Sequence, residues 1–140
     1  MNTKIFCDIA DIPTIKRFNK KRIVKGFTTN PSLMRKAGAK DYKSYSKQIL
    51  RICKNKPISF EVFADENETM IQQGKLINSW GKNIFVKVPV VNSKNRFTGP
   101  VIKELNRKKI NTWGKNVYVK VPVVNSKNKF SGKAINKKQR

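Results

Sequence analysis

Histidine is absent from the 140 residues and cysteine occurs only twice. Without imidazole, the commonest metal ligand and near-neutral acid–base group is excluded. Cys7 and Cys53 fit no CxxC spacing, and both are expected reduced among apolar side chains rather than bridged. Long apolar runs are missing as well. The longest, "IFVKVPVV", is broken by Lys87, and the N-terminus has no apolar stretch of the signal type. A soluble, cytoplasmic protein without a membrane span is expected. Acids are scarce, eight against 32 Lys and Arg, for a net charge of +24. Glu104 is the one acid after Ile77. Such a field attracts anions: nucleic acid, acidic lipid or phosphorylated metabolites. It is also what a global bias toward lysine and asparagine leaves on every solvated face.

The length suits one domain. Strand-like and helical stretches alternate along it. "KIFCDIA" reads as a strand, and Asp11 then caps a helix with Pro13 in its first turn. "KGFTTNPS" reads as a second strand ending at Pro31. Asp41 caps a helix in which Tyr42, Tyr45, Ile49 and Ile52 repeat at three and four residues. "PISFEVFA" is a third strand. After the acidic run "DENE", Met70, Ile71, Ile77 and Trp80 mark a helix weakened by Gly74. "NIFVKVPVV" is a fourth strand, and a helix near Pro100–Lys108 buries Val101, Ile102 and Leu105. Strand then helix, four times, predicts a parallel α/β sheet.

In place of a new fifth strand the chain repeats itself. Residues Ile77–Gly99 align with Ile110–Gly132 without a gap, with 18 of 23 positions identical. The changes are all conservative, which reads as one tandem duplication rather than a solenoid. A repeat pairing as a fifth parallel strand in matching register would turn Lys120 to the same face as Lys87.

Side chains alternate along a strand. Phe6 and Asp8 share a face in the first strand, Thr28 and Asn30 in the second, Ser59 and Glu61 in the third, Phe85 and Lys87 in the fourth. Each strand therefore carries a polar or ionisable residue near its C-terminal end, where ligand sites of parallel α/β folds sit. An aspartate, an asparagine, a glutamate and a lysine converging there suit amine catalysis, with the lysine as nucleophile and the carboxylates moving protons. The plain alternative is that they are solvent-facing ends of half-buried strands. "DENE" offers Asp65, Glu66 and Glu68 to a cation, but acids at a helix N-terminus are favoured by the dipole without one.

The words "FCDIAD", "GFTTNPSL", "ISFEVFAD" and "FVKVPVV" resemble, in this order, the strand motifs of the small transaldolase family, which includes the fructose-6-phosphate aldolases. The resemblance runs from about Lys4 to Ile110. It implies a (β/α)8 TIM barrel and a Schiff base on Lys87, the lysine of "VKVPV". It further implies Asp8 as acid–base residue where the carbon–carbon bond breaks and Glu61 as holder of a proton-relaying water. Asn30 and Thr28 would meet the sugar hydroxyls or their neighbours. The aldolase branch usually has glutamine where this chain has Glu61, which favours the transaldolase side. The activity implied is transfer of a dihydroxyacetone unit between sugar phosphates, in carbohydrate metabolism and the pentose phosphate pathway, with no cofactor and no metal.

A complete barrel takes about 250 residues. The expected architecture is therefore partial: about four βα units over residues 1–109, then a duplicated fourth-strand segment and basic tail over 110–140. The later motifs that pair with the substrate phosphate are not found, so weak or absent turnover is expected, with self-association through open sheet edges. A basic nucleic-acid-binding protein is the alternative reading, and a steep salt dependence of retention on DNA would mark it.

Overall fold

The computed structural model describes residues 4–113. Its strands are β1 (Ile5–Asp8), β2 (Val24–Thr28), β3 (Ile58–Glu61), β4 (Ile84–Lys87) and a short β5 (Thr112–Trp113). Every neighbouring pair is parallel, and the order across the sheet is the order along the chain. Between strands run α1 (Ile12–Asn19), α2 (Pro31–Lys36) with α3 (Tyr42–Ile52), α4 (Asn67–Asn78) and α5 (Gly99–Arg107). Sequential parallel strands with a helix at each crossover are the winding of a (β/α)8 barrel, of which these elements form a part.

The helix starts follow from local chemistry. The carboxylates of Asp11 and Asp41 accept from Thr14 N at 2.9 Å and Ser44 N at 2.6 Å, filling donors that the first turn leaves open. The second strand departs from expectation. It ends at Thr28 rather than Pro31, and Pro31 opens α2. Proline stops a ladder because it has no N–H, but it suits the first turn of a helix for the same reason. The fourth strand is shorter than expected too. It ends at Lys87, and the chain leaves the sheet through Val88 and Pro89.

The core lies where one face of the sheet meets the helices. Phe27, Ile58, Phe60, Ile84 and Val86 pack there with Ile15, Ile49, Met70, Val101 and Leu105, all nearly inaccessible. Gly74, which weakens α4 as a helix, is required by this packing. A Cβ there would lie 2.9 Å from both Leu105 methyls and 3.4 Å from Val86. At the N-terminal ends of the strands, Lys56 Nζ donates to Asn19 O and Lys21 O at 2.7 and 2.9 Å. The Asn83 amide donates to Cys53 O and Lys56 O at 2.6 and 2.7 Å, tying three crossovers together.

The two copies of the repeat take different structures where both are described. "INSW" at residues 77–80 ends α4 and forms the turn after it, whereas "INTW" at 110–113 enters β5. Ile110 is buried against the core and Thr112 pairs with Val86. Tertiary pairing overrides local sequence here. The register sets Trp113 opposite Lys87. Lys120 and the rest of the second copy lie outside the described residues. Among the described residues no helix is long and apolar enough to cross a membrane.

Candidate active site

Four of the five expected site residues are last or near-last in their strands and share one face of the sheet. Asp8 stands beside Thr28 in the β1–β2 register, and Glu61 beside Lys87 in the β3–β4 register. Thr28 pairs with Ser59, two residues below Glu61, which brings the two pairs to the same side. Neighbouring parallel strands lie about 4.8 Å apart and rise about 3.3 Å per residue, so Asp8 and Glu61, two strands apart and two residues out of level, are separated by about 12 Å at the main chain.

Within each pair the side chains touch. Lys87 Nζ lies 3.2 Å from Glu61 Oε2, with both side chains partly exposed, at 29% and 22%. Thr28 Oγ1 donates to Asp8 Oδ1 at 2.7 Å, which orients that carboxylate. Asn30 is placed differently from expectation. It lies beyond β2 and caps α2, its Oδ1 accepting from Leu33 N at 2.9 Å. That bond uses the carbonyl and leaves the side-chain N–H donors pointed elsewhere. A cleft of about 770 Å³ brings Asn30, Glu61 and Lys87 together, with Arg35, Phe63 and Asn92 among its walls. Asp8 and Thr28 are not part of that lining.

One lip of the cleft is the loop from Val88 to Thr98. Thr98 closes it, its N–H and hydroxyl both donating to Val90 O at 3.0 and 3.1 Å. Asn92 organises its tip: Oδ1 accepts from Lys94 N and Arg96 N, and Nδ2 donates to Asp65 O. The Asp65 carboxylate takes both Ser93 N and Ser93 Oγ at 2.7 Å. These bonds hold its carboxyl below the usual carboxylate range, the Ser93 backbone N–H contributing most. Lys94 pairs with Glu66 at 2.9 Å. Asp65 and Glu66 of "DENE" thus clasp the β4–α5 loop to the segment between β3 and α4. Among the described residues no three His, Cys, Asp or Glu side chains are grouped to hold a metal ion.

Sequence reasoning treated Tyr42 and Tyr45 only as parts of an apolar stripe. Both hydroxyls have work near the site. Tyr45 Oη lies 3.1 Å from Ala10 O and 3.2 Å from Ala37 O, and Tyr42 Oη is bonded to the main chain of Glu61. The signal was the choice of tyrosine where leucine would fill the stripe, because a buried phenol needs a partner. Both thiols are free. Burial raises both, and that of Cys53 is pushed to about 11.

An amine beside a carboxylate, open to a cleft at the C-terminal end of parallel strands, can exchange a proton and meet a carbonyl ligand. The sequence profile of the family described as Transaldolase/Fructose-6-phosphate aldolase matches residues 5–114. A probable transaldolase of Dehalococcoides mccartyi is 40% identical over 86 residues, covering 61% of this chain and 40% of its own. One from Methanococcus vannielii is 37% identical over 101 residues, covering 72% and 46%. One from Herpetosiphon aurantiacus is 38% identical over 88 residues, covering 63% and 39%. The chain therefore spans less than half the length of these relatives. It belongs to the transaldolase/fructose-6-phosphate aldolase family.

Proposed function

We propose that the chain carries the Schiff-base half of a transaldolase-type site, with Lys87 as nucleophile. The observation that supports this most is the 3.2 Å contact between Lys87 Nζ and Glu61 Oε2 at the mouth of a cleft. A lysine in water has a pKa of about 10.4, and only the neutral amine attacks a carbonyl. Glu61 is the base within reach to take the ammonium proton, directly or through one water. The freed amine adds to the C2 carbonyl of a ketose phosphate. The carbinolamine then loses water, with Glu61 returning the proton to the leaving hydroxyl, and an iminium ion forms.

The iminium draws electrons from the C3–C4 bond. That bond breaks, the C4 hydroxyl gives its proton to a carboxylate, and an aldose phosphate leaves. Asp8 suits this role, because Thr28 orients it on the same face as Lys87. The enamine left on Lys87 then adds to the carbonyl of an acceptor aldose phosphate, and the steps reverse. Asn30 offers side-chain N–H donors to substrate hydroxyls, its carbonyl being held by Leu33 N. The strongly basic charge favours phosphorylated ligands in general.

The test uses dihydroxyacetone carrying ¹³C at its carbonyl carbon. The full chain should give an imine resonance that disappears in Lys87→Met. The same resonance persisting in Lys87→Met would overturn the assignment.

A further inference from the structure

The β2–β3 ladder stops one rung short of Glu61. Phe27 N donates to Pro57 O at 2.9 Å, and Thr29 N to Ser59 O at 3.2 Å. The same two-residue step asks residue 31 for an N–H to Glu61 O, and residue 31 is proline, which has none. Asn30 is still extended, at φ −152° and ψ 165°, so the chain approaches that rung with a ring in place of a donor. A phenol stands in for the missing strand partner. Tyr42 Oη donates to Glu61 O at 3.1 Å and accepts from Glu61 N at 3.0 Å. Both main-chain polar groups of Glu61 thus end on one side-chain oxygen. Along the other edge of β3, Val62 N donates to Lys87 O at 3.0 Å, which ties the same stretch to the lysine's strand.

The Tyr42 ring is held from three sides. Phe60, Phe63 and Trp80 meet it edge-on, with centroids at 6.4, 5.5 and 5.9 Å. Burial, with the nearby Glu61 charge, raises the phenol well above its ordinary range, so it stays protonated and able to donate. We propose that Tyr42 is a positioning residue for the Glu61–Lys87 pair, holding the main chain at Glu61 so that its carboxylate keeps its place beside the amine. This rests on the reading of Lys87 as nucleophile. A catalytic group misplaced by about 1 Å can cost on the order of a hundredfold in rate, so a tether of this kind bears on chemistry as well as on folding.

The experiment has two arms on the full chain. Amide hydrogen exchange reads the tether. Glu61 N–H should be protected in the native chain, and Tyr42→Phe, which keeps the ring, should speed its exchange by about tenfold while leaving Val62 N–H unchanged. A native Glu61 N–H exchanging as freely as exposed loop amides would overturn the proposal, with no variant needed. So would exchange unchanged by the substitution. The second arm follows trapping of dihydroxyacetone on Lys87 by cyanoborohydride, in which hydride reduces the imine to a secondary amine. Tyr42→Phe should lower the maximal rate about tenfold and leave the half-saturating concentration within about twofold. Tyr42→Phe combined with Glu61→Gln should be no slower than Glu61→Gln alone. A maximal rate unchanged by Tyr42→Phe, or losses that multiply in the double variant, would overturn the positioning role. If Glu61 exchange behaves as expected but native Lys87 is not selectively trapped, the nucleophile reading has failed, and the positioning role falls with it.

Discussion

At the scale of single residues, Lys87 and Glu61 separate function from stability. Their side chains are partly exposed and 3.2 Å apart, a setting in which an ion pair contributes about 0–1 kcal/mol after solvent screening. Methionine keeps most of the lysine stem's apolar contact. Lys87→Met should therefore abolish imine formation while shifting the unfolding free energy by less than about 1 kcal/mol. Urea unfolding measured beside the imine signal checks this, and a larger loss of stability would make Lys87 a structural residue. The pairing of Glu61 and Lys87 was legible in sequence, because strand alternation sets each near a C-terminal end on the same face. The cap formed by Asn30 was not. Its carbonyl bonds to the main chain three residues later, within a helix too short to show a period. Tyr42 was hidden for a different reason: its partner lies 19 residues along the chain, and the absent N–H of Pro31, which leaves the Glu61 carbonyl without a donor from that rung, gives no periodic signal.

At the scale of elements, the helix starts at Asp11 and Asp41 and the alternation of strands and helices were legible, since each rests on local chemistry or on a repeating pattern. Pro31 was ambiguous by nature, as both the end of a strand and the start of a helix. The stretch after Lys87 misled because valines read as strand. Val88 is buried, but Val90 is 71% exposed, and Pro89 cannot donate to a ladder. Gly74 shows the opposite case, a weak helix former kept for space. Gly74→Ala gains about 1 kcal/mol of helix propensity but forces a methyl onto buried Leu105, and overpacking costs about 1–3 kcal/mol. Net destabilisation of about 1 kcal/mol is expected in thermal or urea unfolding, and a more stable Gly74→Ala chain would mean that α4 and α5 are free to separate. The clasp of the β4–α5 loop carries a pH signature. The Asp65 carboxyl is depressed in the folded chain, so the clasp is intact above its unfolded value of about 3.9 and is lost as pH falls through the lower folded value. The Ser93 amide resonance should titrate with a midpoint below that of an unperturbed aspartate. A midpoint at or above the ordinary value would show that Asp65 does not hold the loop.

At the scale of the whole molecule, the five described strands leave two sheet edges without a partner among the described residues. Among the described residues, β1 pairs only with β2, and β5 only with β4. Unpaired parallel edges invite further strands, from the same chain or another. Phe63, beyond β3, and Val90 and Phe97, in the loop after β4, add exposed apolar surface. Light scattering at rising concentration should show species larger than the 16.1 kDa monomer, whereas a monodisperse, cooperatively unfolding monomer would contradict association. The net charge of +24 could not decide in sequence between a sugar-phosphate site and a nucleic-acid surface, because charge alone names no ligand. Family membership and the clefted Lys87–Glu61 pair favour the first. The most direct measurement is borohydride trapping with fructose 6-phosphate, followed by peptide mass mapping of every lysine. Phe85 in one copy of the repeat and Tyr118 in the other distinguish the Lys87 peptide from that of Lys120. A dihydroxyacetone-derived mass concentrated on the Lys87 peptide is expected, and a label spread evenly over the surface lysines would contradict Lys87 as the nucleophile.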